Sequence, residues 1–235
     1  MWIDTRHRSK EEEIMDDLEI SGAELIDNLD KIAIINQWLG GNALTKKSVL
    51  NLMQDMAKNK VLTIADLGCG NGDMLRVLAR VGEKRGYQLK LIGIDANKAT
   101  VDYAIELSKE FKNIEYHHLN VLSSEFDDIE FDIALCTLFL HHFEDEMALQ
   151  LVQDLHKKAT VGVIVNDLHR HALAYYLFKL ITLFDSNQMM KYDGQLSILK
   201  GFKRKDLEAF ANKIKCKSRI RWKWAFRYEW LLYKE

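Results

Sequence analysis

Four short apolar runs, VLTIADL (61–67), LKLIGID (89–95), FDIALCTLFL (131–140) and VGVIVNDL (161–168), recur through the middle of the chain with helically patterned stretches between them. Met74, Leu75, Val77, Leu78 and Val81 fall on one face of a helix that Gly82 or Gly86 can end. Val101, Ala104, Ile105 and Leu107 mark a second helix after Asn97, and EDEMALQLVQDLHKK (144–158) marks a third. NIEYHHLNV (113–121) adds a weaker strand signal. Strands alternating with helices in this way require βαβ units, hence a parallel sheet with helices on both faces. With 235 residues, 48% of them hydrophobic, the chain has material for one domain with a full core.

The ends break the pattern. Residues 11 to 38 read as helices, stopped by Gly40 and Gly41, and SRIRWKWAFRYEWLLY (218–233) reads as a late strand pair joined through Ala225. Proline is absent, so turns fall to Gly, Asn and Asp. Cys69, Cys136 and Cys216 lie far apart with no metal-ligand spacing, which excludes a zinc framework and fits a reducing cytoplasm. No apolar run approaches the roughly 20 residues needed to span a bilayer. The nearest, ALAYYLFKLITLF (172–184), is broken by Lys179 and reads as a buried or ligand-facing helix. Net charge is −2, but EEEIMDDLE (11–19) is acidic while KGFKRK (200–205) and KIKCKSRIRWKWAFR are basic. Lys200, Lys203, Arg204, Lys205, Lys215, Arg219, Arg221 and Lys223, with Trp222 and Trp224 among them, therefore offer a candidate nucleic-acid surface, against which stands a plain solvated strand face.

The first apolar run leads into VLTIADLGCGNGDM (61–74), in which Asp66 is followed by Gly68, Gly70 and Gly72. Glycines at a strand-to-helix turn let the backbone approach a ligand closely. A dinucleotide fingerprint needs its third glycine at position 73, where Asp73 stands and would repel a pyrophosphate. An acid at the end of the first strand suits a cationic group instead. Asp95, ending LKLIGID, supplies two acceptor oxygens suited to a vicinal diol.

These two motifs resemble those of class I S-adenosylmethionine-dependent methyltransferases, of the small-molecule type akin to quinone and polyketide biosynthesis enzymes; NQWLGG (36–41) and NDLHRHALAYYLF (166–178) carry the narrower likeness. The resemblance implies a Rossmann-like, seven-stranded, mostly parallel sheet with helices on both faces, an antiparallel strand near the C-terminus and an N-terminal helical extension. It implies one domain over 1–235: a helical cap at 1–45, a cofactor-binding core at 46–170, a substrate lid helix and loop at 171–200, and a C-terminal helix and strands at 201–235. MMKYDGQLS (189–197), with a turn at Asp193-Gly194, belongs to that lid. The implied cofactor is S-adenosyl-L-methionine, held by Asp66, Gly68, Cys69, Gly70, Gly72, Asp95, Ala96, Asn120, Val121, Thr137 and Leu138. Asp66 takes the ammonium, Asp95 the ribose hydroxyls, and Asn120 the adenine amine where relatives commonly have Asp.

The chemistry belongs beyond the carboxyl ends of the strands. TLFLHHFED (137–145) is similar to the fourth motif of that family, which points His141, and less so His142, towards the acceptor. An imidazole there can accept a hydroxyl proton or simply pack and cap the turn. Arg170 is the candidate for orienting a carboxylate or phenolate, or else a surface partner of Asp167. His117 and His118 read as structural. The expected partner is an aromatic or polyketide/quinone-like small acceptor, with no nucleic acid, no membrane span and no metal, and the enzyme a monomer or homodimer. O-methylation is favoured over C-methylation. RNA or protein modification, or a non-catalytic cofactor-binding role, are the alternatives.

Overall fold

A computed structural model describes residues 3–54 and 56–234. Its centre is a seven-stranded sheet in the order β3-β2-β1-β4-β5-β7-β6. The strands are β1 (Val61–Leu67), β2 (Gln88–Asp95), β3 (Ile114–His118), β4 (Ile133–Thr137), β5 (Gly162–Leu168), β6 (Ser218–Lys223) and β7 (Arg227–Tyr233). The first five are mutually parallel, and β7 runs antiparallel between β5 and β6. The strand order reverses at β1, between β2 and β4, which opens a crevice beyond their carboxyl ends.

Side-chain alternation divides the core. Leu62 and Ile64 of β1, Leu89 and Leu91 of β2, and Ile133 and Leu135 of β4 pack on one face. Ala65, Leu67, Ile92, Ile94, Ala134 and Cys136 pack on the other. The first layer is closed by α2 (Gly41–Met53) and α3 (Asp73–Arg85), the second by α5 (Asp145–Lys158) and α8 (Arg204–Ile214). Helix α4 (Lys98–Leu107) starts at Asn97, whose side chain accepts from Thr100 N, and α3 ends at the left-handed Gly86, as the sequence indicates. The hairpin turn also falls at Ala225 and Phe226, both with positive φ.

Three expectations fail outside the central βαβ units. Most of 11–22 is not helical; apart from a 3-10 turn at Ile14–Asp16 the chain runs as an irregular strap, and α1 begins only at Ala23 (Ala23–Trp38). Of its acids, Glu13 and Asp16 are engaged by the distant Ser197, His142 and Lys200. Gly41 opens α2 instead of ending a helix, because the left-handed Gly40 turns the chain and the Asn36 side chain occupies the space a Cβ of residue 41 needs. Asp193-Gly194 lies inside α7 (Gln188–Lys200), not in a turn. The Asp193 carboxylate accepts from Ile14 N (2.7 Å) and Met15 N (3.0 Å), and Gly194 makes room for the Phe178 ring. Helix α6 (Ala172–Ile181) takes the ligand-facing alternative rather than the buried one: Leu173, Leu177, Leu180 and Ile181 are exposed, and Leu177, Phe178 and Ile181 border a cavity. Among the described residues no helix is long and apolar enough to cross a membrane.

Candidate active site

After β1 the chain turns through three left-handed glycines, Gly68, Gly70 and Gly72. A Cβ on Gly68 would meet the Phe139 ring at 2.2 Å, and one on Gly72 the Tyr116 hydroxyl at 2.0 Å, so both positions are closed to larger residues by packing as well as by φ. Gly70 N donates to Asp95 Oδ2 (3.1 Å), which pins the loop to the end of β2. Asp66 is buried here, and burial followed by the charges of Asp73 and Asp95 pushes its carboxyl well above the ordinary range. Burial raises Asp73 and Asp95 as well, against the hydrogen bonds of Asn42 to Asp73 and of Asn97 N and Gly70 N to Asp95. Three crowded carboxyls invite a cation and repel phosphate.

A cavity of about 1440 Å³ opens over this loop. Asp66, Gly68, Cys69, Gly70, Asp95, Ala96, Asn120, Val121, Thr137, Leu138, His141 and His142 border it. Two of the sequence candidates do not. Gly72 faces Tyr116 and starts α3. Arg170 is buried with its guanidinium spent on Thr5 O, Gly201 O and Asp206, so it ties the strap to α8 and meets no acceptor. His118 bonds Ala96 O (3.0 Å) and His117 lies beside Glu115, both away from the cavity. Asn120 commits one lone pair of its side-chain oxygen to Leu122 N (2.9 Å) and keeps the other.

The sequence profile of the family described as "Methyltransferase domain" matches residues 64–162, the stretch from β1 to the start of β5. Residues 64–162 are a methyltransferase domain. The fold extends the likeness to nearly the whole chain. The plantazolicin methyltransferase BpumL in complex with SAH superimposes with a TM-score of 0.65 at 14% identity, over 90% of each chain. The magnesium protoporphyrin IX methyltransferase of Synechocystis PCC 6803 with bound SAH gives 0.59 at 15%, covering 89% of this chain and 94% of that one. The CurJ carbon methyltransferase gives 0.62 at 11%, covering 82% of this chain and 53% of that one. No curated protein sequence matches the chain. The cofactor of the methyltransferase domain is S-adenosylmethionine, and the donor set fits it: buried carboxyls for an ammonium and a ribose diol.

Beyond β4 the chain places strain and titratable groups together. Leu138 has φ 54°, uncommon for a residue with a side chain, and its N–H bonds Asn166 O (3.0 Å). The following 3-10 turn, Leu140–His142, presents His141, whose N–H donates to Asp167 Oδ2 (3.1 Å) and whose Nδ1 lies 2.7 Å from Oδ1. Burial opposes ionisation of Asp167, but the charge and hydrogen bond of His141 outweigh it and hold the carboxyl low. Nδ1 is therefore the donor, and Nε2 is directed at Glu13 Oε1, 3.8 Å away.

Glu13 comes from the strap. It is buried, its Oε1 has no hydrogen-bond partner, and Lys200 Nζ lies 3.4 Å from it. His142 Nδ1 bonds Asp16 Oδ1 (2.7 Å), and Lys200 Nζ reaches Asp16 Oδ2 (2.9 Å). Burial disfavours the His142 imidazolium, yet the Asp16 bond and the Glu13 charge raise its pKa overall. Ligand atoms of Glu13, His141 and His142 lie within 4.8 Å of one another, close enough for a metal ion; the Lys200 ammonium already fills the cationic place in this group. Arg8 ties the strap down, donating to Lys200 O (2.6 Å), Asp145 Oδ1 (2.7 Å) and His141 O (2.7 Å) while stacking over Phe202. Glu13 and Asp16 have no role in the sequence pattern, which marks Asp73 only as a bar to pyrophosphate and Lys200 only as part of a basic surface. Only the acid-rich 11–19 run hinted at the first two, with nothing to pair it with His141.

Proposed function

We propose that the chain transfers the methyl group of S-adenosylmethionine to a phenolic or enolic hydroxyl of a small, partly apolar acceptor, with His141 as the base. The observation that carries this reading is the buried Asp167–His141 pair at the carboxyl ends of β5 and β4, on the wall of the cavity the glycine turn also lines. When bound, the cofactor supplies a methyl group on a positively charged sulfur. The protein has to hold the hydroxyl in line with that methyl and keep water away. His141 Nε2 takes the hydroxyl proton as the oxygen–methyl bond forms and the sulfur–methyl bond breaks, its electron pair returning to sulfur. Asp167 fixes the tautomer that leaves Nε2 free and stabilises the imidazolium.

The wall beyond His141 supports an apolar acceptor. Leu177, Phe178 and Ile181 of α6, Trp222 and Trp224 of the hairpin, Ile35 of α1 and Leu39 just after it border the cavity. The basic run that suggested nucleic acid is dispersed: Lys200 is buried among acids, Arg204 pairs with Glu208, and Lys223 faces Glu229. The test is transfer of isotopically labelled methyl from S-adenosylmethionine to a panel of phenols and enolisable diketones, with the labelled position read by NMR. Label on oxygen is expected. Label on carbon keeps the base but replaces the O-methyl assignment, and no transfer to any member of the panel removes the reading.

A further inference from the structure

Arg227 opens β7, in register with Leu168 at the end of β5, and only 3% of it is exposed. It borders the cavity. Among the described residues its guanidinium makes no hydrogen bond or ion pair, and Nε and Nη1 are both buried without a partner. Burial lowers its pKa to about 10, which still leaves it charged at neutral pH.

The charge of Asp167 favours the guanidinium from a distance, but among the described residues no neighbouring acid bonds it. Asp167 spends its oxygens on His141 Nδ1, His141 N and Leu168 N. Glu229, two residues on, accepts from Ser48 and faces Lys223 and Arg219. Asn36 Oδ1, close to the Arg227 guanidinium across Gly41, is itself unpartnered. A buried cation with donors unmet and an open cavity before it is costly unless an anion enters, and a guanidinium fork matches a carboxylate through two parallel bonds.

We propose that Arg227 is the receptor for a carboxylate brought into the cavity, and that this carboxylate belongs to the acceptor. The proposal rests on the methyltransferase reading for what the acceptor is, but not for whether an anion binds. Position favours the acceptor as the source. In the strand order β1-β4-β5-β7, Arg227 stands three strands from Asp66, or roughly 14 Å at the usual spacing, and one strand from Asp167. The α-carboxylate of the cofactor is bonded to the same carbon as the ammonium that Asp66 holds. Around Arg227 the cavity wall is aromatic, with Trp222, Trp224 and Phe226. The acceptor class is therefore an aromatic or otherwise apolar hydroxy acid, its hydroxyl at His141 and its acid group at Arg227.

Calorimetry on the protein loaded with S-adenosylhomocysteine tests this with 3,4-dihydroxybenzoate and its methyl ester as probes. The acid is expected to bind at least tenfold tighter than the ester, Arg227→Gln to erase the difference with ester affinity unchanged, and Arg227→Lys to keep part of it. A second arm compares S-adenosylhomocysteine with its decarboxylated analogue on the unloaded protein. Loss of a preference there in Arg227→Gln would assign the carboxylate to the cofactor, keeping the receptor and overturning its assignment to the acceptor. Thermal melting confirms that both variants fold. Wild-type protein that prefers neither carboxylated probe, or an Arg227→Gln variant that keeps both preferences, overturns the proposal. Tight binding of the acid without methyl transfer to any hydroxyl leaves Arg227 standing and removes the functional reading instead.

Discussion

The two halves of the cavity are built on different principles. On the cofactor side, Asp66, the glycine turn and Asp95 come from consecutive strand ends, and the parallel register of β1 with β2 brings them together. On the proposed acceptor side, Glu13 and Asp16 of the strap, His141 and His142 of a turn, Lys200 of α7 and Arg227 of β7 come from across the whole chain. The first half is fixed by local backbone geometry, the second by buried charges finding one another. Such a division predicts that substitutions will separate cleanly into effects on cofactor affinity and effects on turnover.

The largest expected effect is His141→Ala. Loss of a positioned base lowers kcat by about 10²–10⁴, with cofactor affinity unchanged by calorimetry; an equal loss of affinity would mean the halves are not separate. Asp95→Ala goes the other way, weakening S-adenosylhomocysteine binding by about 10-fold to 100-fold through loss of charge-assisted bonds to a diol, while kcat at saturating cofactor stays within a few-fold. Unchanged affinity would remove the ribose assignment. Asp66→Asn sharpens the contrast, because a carboxyl raised in the folded state contributes stability at low pH that disappears as pH rises through its folded value. At pH 8 the ligand-free variant is therefore expected to melt about 2–4 °C above wild type, with the gap closing towards pH 4, while cofactor affinity falls.

The smallest effect is on the strap. His142, raised by Asp16 and Glu13, and Asp193, pushed up by burial to about 6, both contribute stability that is lost as pH rises. Asp16, held low by His142 and Lys200 against burial, contributes stability that is lost in acid. Amide exchange at Ile14 and Met15 should consequently be slowest in mildly acidic buffer, near pH 5, and faster at pH 8. Exchange that slows with rising pH, after correction for intrinsic rates, would mean that these groups do not secure the strap.

The same contrast governs what the sequence reveals. Strands with alternating burial and the caps at Asn97 and Gly86 are written in neighbouring residues, and so is the spacing that puts Asp66 and Asp95 at the border of the cavity. Position His141 follows from its place after β4. The strap does not, since a run such as EEEIMDDLE satisfies helix propensity until His142, Lys200 and Ser197 claim its acids. Asp193-Gly194 has turn chemistry, yet the carboxylate holds Ile14 and Met15 and the missing Cβ admits Phe178, so tertiary packing keeps the helix. Nothing local separates Arg170, each of whose guanidinium nitrogens is hydrogen-bonded, from Arg227, whose Nε and Nη1 have no partner.

Arg8 reaches a carbonyl 192 positions away. On a growing polypeptide, that guanidinium leaves the ribosome long before Lys200 exists, and it cannot dock until nearly all of the sheet is assembled. Closing so large a loop carries an entropic penalty that only a finished platform can offset. The Arg8 segment is thus made before the sheet it binds and seated after it, and refolding experiments should recover native sheet signal before Arg8 is docked.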